Sequence, residues 1–258
     1  MDTIKDYAAQ LYHAEKNRKQ MEPLTETNPS LTVEHAYEIQ LEIAKQKLAE
    51  GNSIIGKKVG LTSKAMQDML QVNEPDYGHL FKDMELANKA VISTETMIAP
   101  KIEAEIGFVL KEDLVGPNIT FLDVLMATDY VVPTLEVIDS RIKDWKIKLI
   151  DTVADNGSSA KVVIGEGKKY VHEVNVRTVG MTLFKNDEMI STGAGAAALG
   201  HPAEAIAWLA NKLSSFDIVL KKGELILPGA LSGAVQVEAG AHIKADFGAL
   251  GSVEVSFE

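Results

Sequence analysis

Apolar residues recur in two rhythms along the chain, and the rhythm changes near residue 90. In the first part the spacing is helical. Ile4, Tyr7, Ala8, Leu11 and Ala14 fall three to four apart with charged residues between them, which predicts an amphipathic helix over 4–20. Pro23 and Asn28-Pro29 interrupt it. Thr32 is a good N-cap with Glu34 in the turn that follows. Ala36, Ile39, Ile43, Ala44 and Leu48 carry a second helix to Gly51, a residue suited to the position after a helix end. Ile54 to Leu61 predicts a short strand holding Lys57 and Lys58, only one of which can point inward. A short helix over Ser63 to Leu70 follows. Asn73-Glu74-Pro75-Asp76-Tyr77-Gly78 then reads as a loop, because its residues are those that turns select.

Beyond residue 90 the period falls to two. Strands are predicted near 90–93, 102–110, 129–138, 160–164, 179–185, 188–192, 224–227, 234–238, 242–247 and 251–257, with Asn186-Asp187 as a hairpin turn. Two helices interrupt them. One starts at Thr120, with Asp123 three residues on, and the other covers Pro202 to Leu213. Strands in series with few helices predict an α+β fold with an antiparallel or mixed sheet, not an alternating doubly wound one. The expected division is a helical N-terminal part over 1–80 and a β-rich catalytic domain over 81–258.

Composition narrows the function classes. The chain has 258 residues, 46% of them hydrophobic and 24% charged, enough for a sizeable globular core. A formal net charge of -11 argues against a surface for nucleic acid or anionic membrane. The absence of cysteine removes disulfides, thiolate metal sites and cysteine nucleophiles, and fits a reducing cytoplasm. Met1 to Asp6 shows no basic start followed by an apolar run, so no secretory leader is expected.

The candidate chemistry lies in Pro100 to Phe108. Glu103 and Glu105 alternate with Ile102, Ala104 and Ile106, so on a strand both carboxylates face one way, their Cβ atoms about 6.5–7 Å apart. For an isolated E-x-E a solvated strand face is the ordinary explanation. Glu136 changes the balance, because it sits inside the apolar run Val131 to Ile138, where a lone carboxylate needs a partner. Three carboxylates from two strands make an oxygen-only site suited to Mg²⁺ or Mn²⁺.

Other patterns carry less. Gly193-Ala194-Gly195-Ala196-Ala197-Ala198 fits a dinucleotide-binding pattern but lacks the surrounding parallel alternation, so close backbone packing is the better reading. No two of the six histidines are spaced as helical metal ligands, and His79 and His201 read as loop hydrogen-bonders. Asp139, Arg141, Asp144, Asp151 and Asp155 form a charged run expected to be a solvated loop or a lid over the metal.

With Gly56-Lys57-Lys58-Val59-Gly60-Leu61-Thr62, Lys101 to Ile106 and Glu136-Val137-Ile138-Asp139-Ser140-Arg141 in view, the sequence resembles the 2-keto-4-pentenoate hydratase / 4-oxalocrotonate decarboxylase group of the fumarylacetoacetate hydrolase superfamily. Val153-Ala154-Asp155-Asn156 and Leu199-Gly200-His201-Pro202 extend the resemblance over essentially the whole chain. It implies a rolled mixed β-sheet catalytic domain, homo-oligomers, possible association with a sister enzyme, and one divalent cation, Mg²⁺ or Mn²⁺, on Glu103, Glu105 and Glu136. It also implies Lys58 as the site lysine and Asp76 as the site acid; strand alternation then turns Lys57 the other way, so that Lys57→Ala is expected to be nearly silent. Pro228 departs from the Ser or Thr that many relatives carry before the glycine. The resemblance divides between the two activities: the Lys57–Phe81 stretch looks hydratase-like, while Thr128–Ser140, Gly157–Ser159 and Arg177-Thr178 look decarboxylase-like. A hydratase acting on 2-hydroxypenta-2,4-dienoate is favoured because Asp76 bears on water addition; a 4-oxalocrotonate decarboxylase and a non-catalytic partner subunit are the alternatives.

Overall fold

The computed structural model describes residues 3–258, the side chains of Met69 and Leu70 excepted; Met1 and Asp2, part of the stretch read for a leader, lie outside the described residues. Helices α1 (Thr3–Asn17), α2 (Leu24–Thr27) and α3 (Val33–Ala49) open the chain. Thr32 caps α3 as expected: its hydroxyl accepts from His35 N at 3.3 Å, and His35 Nδ1 accepts from Thr32 N at 3.2 Å. Strand β1 (Ile54–Gly60), helix α4 (Lys64–Leu70) and strands β2 (Asp76–Phe81), β3 (Glu85–Ala87) and β4 (Ala90–Ile92) follow.

The β-rich remainder, with β4, matches the period-two reading in its ten strands, but three α-helices interrupt them rather than two, the one over Leu149–Ala154 being the addition. It comprises β5 (Lys101–Leu110), α5 (Phe121–Ala127), β6 (Thr128–Ile138), α6 (Leu149–Ala154) and β7 (Ser159–Ile164). Then come β8 (Gly180–Lys185), β9 (Glu188–Ala194), α7 (Pro202–Ser214), β10 (Leu225–Leu227), β11 (Val235–Gln236), β12 (His242–Asp246) and β13 (Ser252–Phe257). The hairpin between β8 and β9 turns at Asn186 and Asp187, both at positive φ (52° and 65°), as a two-residue turn of this hand requires.

Two mixed sheets result. The larger runs β2-β1-β10-β5-β6-β7-β3 with β11 added to β5, and the smaller runs β4-β13-β12-β8-β9. The pairs β1–β10, β3–β7 and β4–β13 are parallel and the others antiparallel. Strands β1 and β2, which lie between residues 54 and 81, are hydrogen-bonded into the large sheet; the opening run of helices α1–α3 ends at Ala49. One continuous core joins both sheets to α1, α3 and α7. Among the described residues no helix is long and apolar enough to cross a membrane.

The large sheet rolls. In a flat sheet β1 and β6, three places apart, would lie roughly 14 Å from each other, yet Lys58 on β1 reaches Glu136 on β6 at 3.5 Å. The roll closes where β2 meets the turn before β7. Asn156 Nδ2 donates to His79 O at 2.9 Å, and His79 N donates to Asn156 Oδ1 at 2.7 Å. Gly78 permits the approach, since a Cβ there would stand 2.3 Å from Asn156 O.

The stretch Asp76 to Phe81 therefore corrects the sequence reading. It is a strand with every residue buried, not a loop. Its Pro75 and Gly78 imitate turn chemistry, but the proline ends the preceding segment and the glycine serves a close approach.

Candidate metal centre

The three glutamates share one face by register. Glu103 and Glu105 are two apart on β5, and Glu136 on β6 is the residue directly opposite Glu103. One oxygen from each lies within 4.8 Å of the other two. Glu105 and Glu136 are buried, and Glu103 opens toward a cavity of about 730 Å³ that Lys58 and Asp76 also line.

This arrangement is electrostatically costly as it stands. Each pair of charges at that distance repels by about 3–4 kcal/mol at an effective dielectric near 20. Burial accordingly raises the pKa of all three carboxyls. For Glu103 burial, opposed by Lys58 and reinforced by Glu136, lifts it to about 7. For Glu105 burial, then Glu136 and Glu103, lift it well above the carboxylate range. For Glu136 burial raises it against the opposing pull of Lys58.

Hydrogen bonding does not relieve the cluster. Glu105 Oε2 accepts from Gly229 N at 2.7 Å, but neither buried oxygen of Glu136 has a hydrogen-bond partner. The neighbouring Ser159 hydroxyl, which tends to lower the Glu136 pKa, is itself without a partner in hydrogen-bonding geometry. A native fold rarely leaves charged atoms orphaned in this way unless a ligand satisfies them. One ammonium, that of Lys58, offsets one of three negative charges. The two that remain match a divalent cation, and the all-oxygen donor set suits a hard one. The residues present thus fit the metal that the alternation pattern predicts.

Lys58 enters from β1. Its Nζ donates to Gly157 O at 3.1 Å and lies 3.5 Å from Glu136 Oε2. Burial works against the ammonium, but Glu136, Asp76, Glu103 and Glu105 together outweigh it and hold the pKa above that of an ordinary lysine. Asp76 begins β2, paired with Gly60 two residues beyond Lys58. Its Oδ2 accepts from Thr152 Oγ1 at 3.3 Å, while Oδ1 has no hydrogen-bond partner. Burial raises its pKa, with Lys58 opposing.

Lys57 faces the other way, as strand alternation predicts; it is 2% exposed and pairs with Glu224 Oε1 at 2.9 Å. One expectation fails near the site. The run from Asp139 to Asp155 is not a solvated loop. Asp139, Arg141, Asp151 and Asp155 are buried, and of the five only Asp144 is solvated. The physical reason is that each buried acid has partners: Asp151 accepts from Thr25 N and Thr25 Oγ1 on α2 and from Lys148 N, and Asp155 pairs with Arg141.

The remaining patterns resolve simply. His201 Nδ1 accepts from Ala203 N at 3.1 Å and caps α7. His79 is buried against Gln40, its Nδ1 lying 3.0 Å from Gln40 Oε1. Gly195 packs backbone on backbone, since a Cβ there would stand 1.7 Å from Val176 O. Sequence reasoning missed Thr152, the carbonyl of Gly157, and Lys101. Only Lys101 had a usable signal, because it precedes Glu103 by two and so shares its strand face.

Residues 57–258 match the fumarylacetoacetate (FAA) hydrolase C-terminal family. The chain belongs to that family. It is 44% identical to a 2-keto-4-pentenoate hydratase of Paraburkholderia xenovorans over 97% of this chain and 93% of the relative. It is 40% identical to a 4-oxalocrotonate decarboxylase of Pseudomonas sp. (strain CF600) over 99% of this chain and 97% of the relative. Among solved structures, a 4-oxalocrotonate decarboxylase from Pseudomonas putida, complexed with magnesium and adipate, superposes with a TM-score of 0.98 at 39% identity, covering 100% of this chain and 98% of that one. The rolled α+β architecture is thus that of the fumarylacetoacetate hydrolase family, and the metal-bearing neighbour matches it over the full length.

Proposed function

We propose that this chain is a divalent-cation-dependent hydro-lyase that adds water to 2-hydroxypenta-2,4-dienoate, giving 4-hydroxy-2-oxopentanoate. Glu103, Glu105 and Glu136 hold the cation, which when bound acts as a Lewis acid toward the adjacent oxygens of a 2-oxo acid. Lys58 places its ammonium beside the substrate carboxylate and enol oxygen, where negative charge develops. Protonation at C5 first turns the dienol into a conjugated 2-oxo-3-ene; water then adds at C4, Asp76 takes the proton that leaves the water as the C–O bond forms, and a proton is added at C3. The observation that carries the reading is Asp76 itself, a buried acid lining the same cavity as Lys58 and Glu103 with one oxygen uncommitted. The hydratase names among the full-length relatives support it.

One observation favours a second reading, decarboxylation of 4-oxalocrotonate. Lys101 is half-buried at the cavity with its Nζ 4.0 Å over the Trp145 ring, and no carboxylate within ion-pair distance of it among the described residues. Such a cation suits the second carboxylate of a dioate. A non-catalytic partner role does not explain a complete set of metal-fitting carboxylates. Assembly as a homo-oligomer, association with a sister enzyme and a cytoplasmic location complete the proposal.

The test is to supply both substrates with Mg²⁺ and identify the products of wild type and Asp76→Asn. Hydration in the wild type, lowered about 10²–10⁴-fold in the variant with solvent exchange at C3 retained, is expected. CO₂ release from 4-oxalocrotonate with hydration unaffected by Asp76→Asn would transfer the assignment to the decarboxylase.

A further inference from the structure

The buried pair Arg141–Asp155 lies outside the metal cluster, yet the chain it holds leads into it. Asp155 is followed by Asn156, Gly157 and Ser158, all at positive φ (57°, 59° and 55°). Three consecutive residues in the left-handed region form a turn that two of them, having side chains, disfavour. Such a turn persists only where its surroundings impose it.

Here the surroundings are Arg141 and Asp155. Asp155 Oδ1 accepts from Arg141 Nε at 2.5 Å. Its Oδ2 accepts from Arg141 N at 3.1 Å, Ser158 Oγ at 3.0 Å and Ser140 Oγ at 3.2 Å. The guanidinium also donates to the carbonyls of Asp155, Asp139 and Ser159, so it binds the backbone on both sides of the turn. From the turn, Gly157 O accepts from Lys58 Nζ, and Asn156 clasps His79 on the strand that begins at Asp76.

We propose that Arg141 and Asp155 are positioning residues for the reaction: their ion pair imposes the left-handed turn 156–158, and the turn sets the Lys58 ammonium against Glu136. The proposal rests on the reading that Lys58 acts in turnover. Its energetic logic is that of near-attack placement, in which a displacement of about 1 Å costs on the order of 10²-fold in rate. A purely structural pair would lower the folded fraction and leave turnover per folded molecule unchanged.

The experiment is a double-mutant cycle of Asp155→Asn with Lys58→Ala, assayed with Mg²⁺ and normalised to folded protein. Asp155→Asn alone should lower kcat roughly 10–100-fold with the KM for Mg²⁺ within about threefold. In the Lys58→Ala background the same change should cost less than about threefold, because the group it positions is gone. Equal losses in both backgrounds, or no loss in either, overturn the positioning role while leaving Lys58 in the reaction. If Lys58→Ala alone is silent, the reading beneath the proposal falls and the proposal with it. Should Asp155→Asn fail to fold, Ser140→Ala takes its place; it removes one donor to Asp155 and does not line the cavity. A loss of about 3–10-fold that vanishes in the Lys58→Ala background supports the proposal, and an additive loss or none overturns it.

Discussion

Two clusters of buried charge stand side by side in this fold, and they are built on opposite principles. Around Arg141 and Asp155 every charged atom has a hydrogen-bond partner, drawn from side chains and carbonyls less than twenty residues away. Around Glu103, Glu105 and Glu136 like charges gather, both Glu136 oxygens are orphaned, and a single lysine stands near. Burial alone therefore says little about function. The satisfied cluster needs nothing from outside and acts only through the turn it holds, and the unsatisfied one is complete only with something the chain does not itself provide.

The largest effect is expected from breaking the satisfied cluster. Arg141→Met leaves Asp155 buried without its counter-charge and should cost about 3–5 kcal/mol of unfolding free energy, read from denaturant melts. A loss under about 1 kcal/mol would show that the pair is not structural in the way its bonds imply.

Acid should act next, through His79. Burial, aided by Lys57, holds its pKa at about 3, below the ordinary 6.5. The folded state therefore binds this proton more weakly than the unfolded chain. The contribution of neutral His79 is complete above about pH 6.5 and is lost progressively as the pH falls toward 3, by an amount on the order of a few kcal/mol. His79→Gln should flatten the acid limb of stability against pH in that window; an unchanged limb would mean the imidazole is protonated in the fold.

Smaller again is the contrast between adjacent lysines. Lys57→Met strands Glu224 and should lower stability by about 1–3 kcal/mol while turnover per folded molecule stays within about threefold. Lys58→Met should instead lower turnover per folded molecule well beyond that threefold margin. Identical profiles at both positions would erase the distinction between the two faces of β1.

Much of this was legible in the sequence where the signal was local. The ten strands read after residue 90, the caps at Thr32 and Thr120 and the first-turn Pro202 depend on alternation and on turn residues within a few positions. The three glutamates were legible because alternation puts Glu103 and Glu105 on one face and an apolar run isolates Glu136. What escaped was set by partners distant in the chain. The strand Asp76–Phe81 takes its glycine from the approach of Asn156, and the depth of Lys57 comes from Glu224; neither leaves a mark in its own neighbourhood. The charged run after Glu136 was misread for another reason. Charge density in a sequence is the same whether acids face water or an arginine.

The smallest change in stability should come from Glu136→Gln, which removes one of three repelling charges: metal-free variant and wild type should differ by less than about 1 kcal/mol, or the variant should be the more stable. That contrast leads to the measurement that tests the central claim most directly, calorimetric titration of Mg²⁺ into EDTA-stripped protein at pH 6 and pH 9. The wild type should bind one Mg²⁺ per chain, releasing protons at pH 6 because Glu103, at about 7, is largely protonated there. Glu136→Gln should bind at least about tenfold more weakly. Stripped wild-type protein that binds no Mg²⁺, or that turns over at its full rate without added metal, would contradict the account.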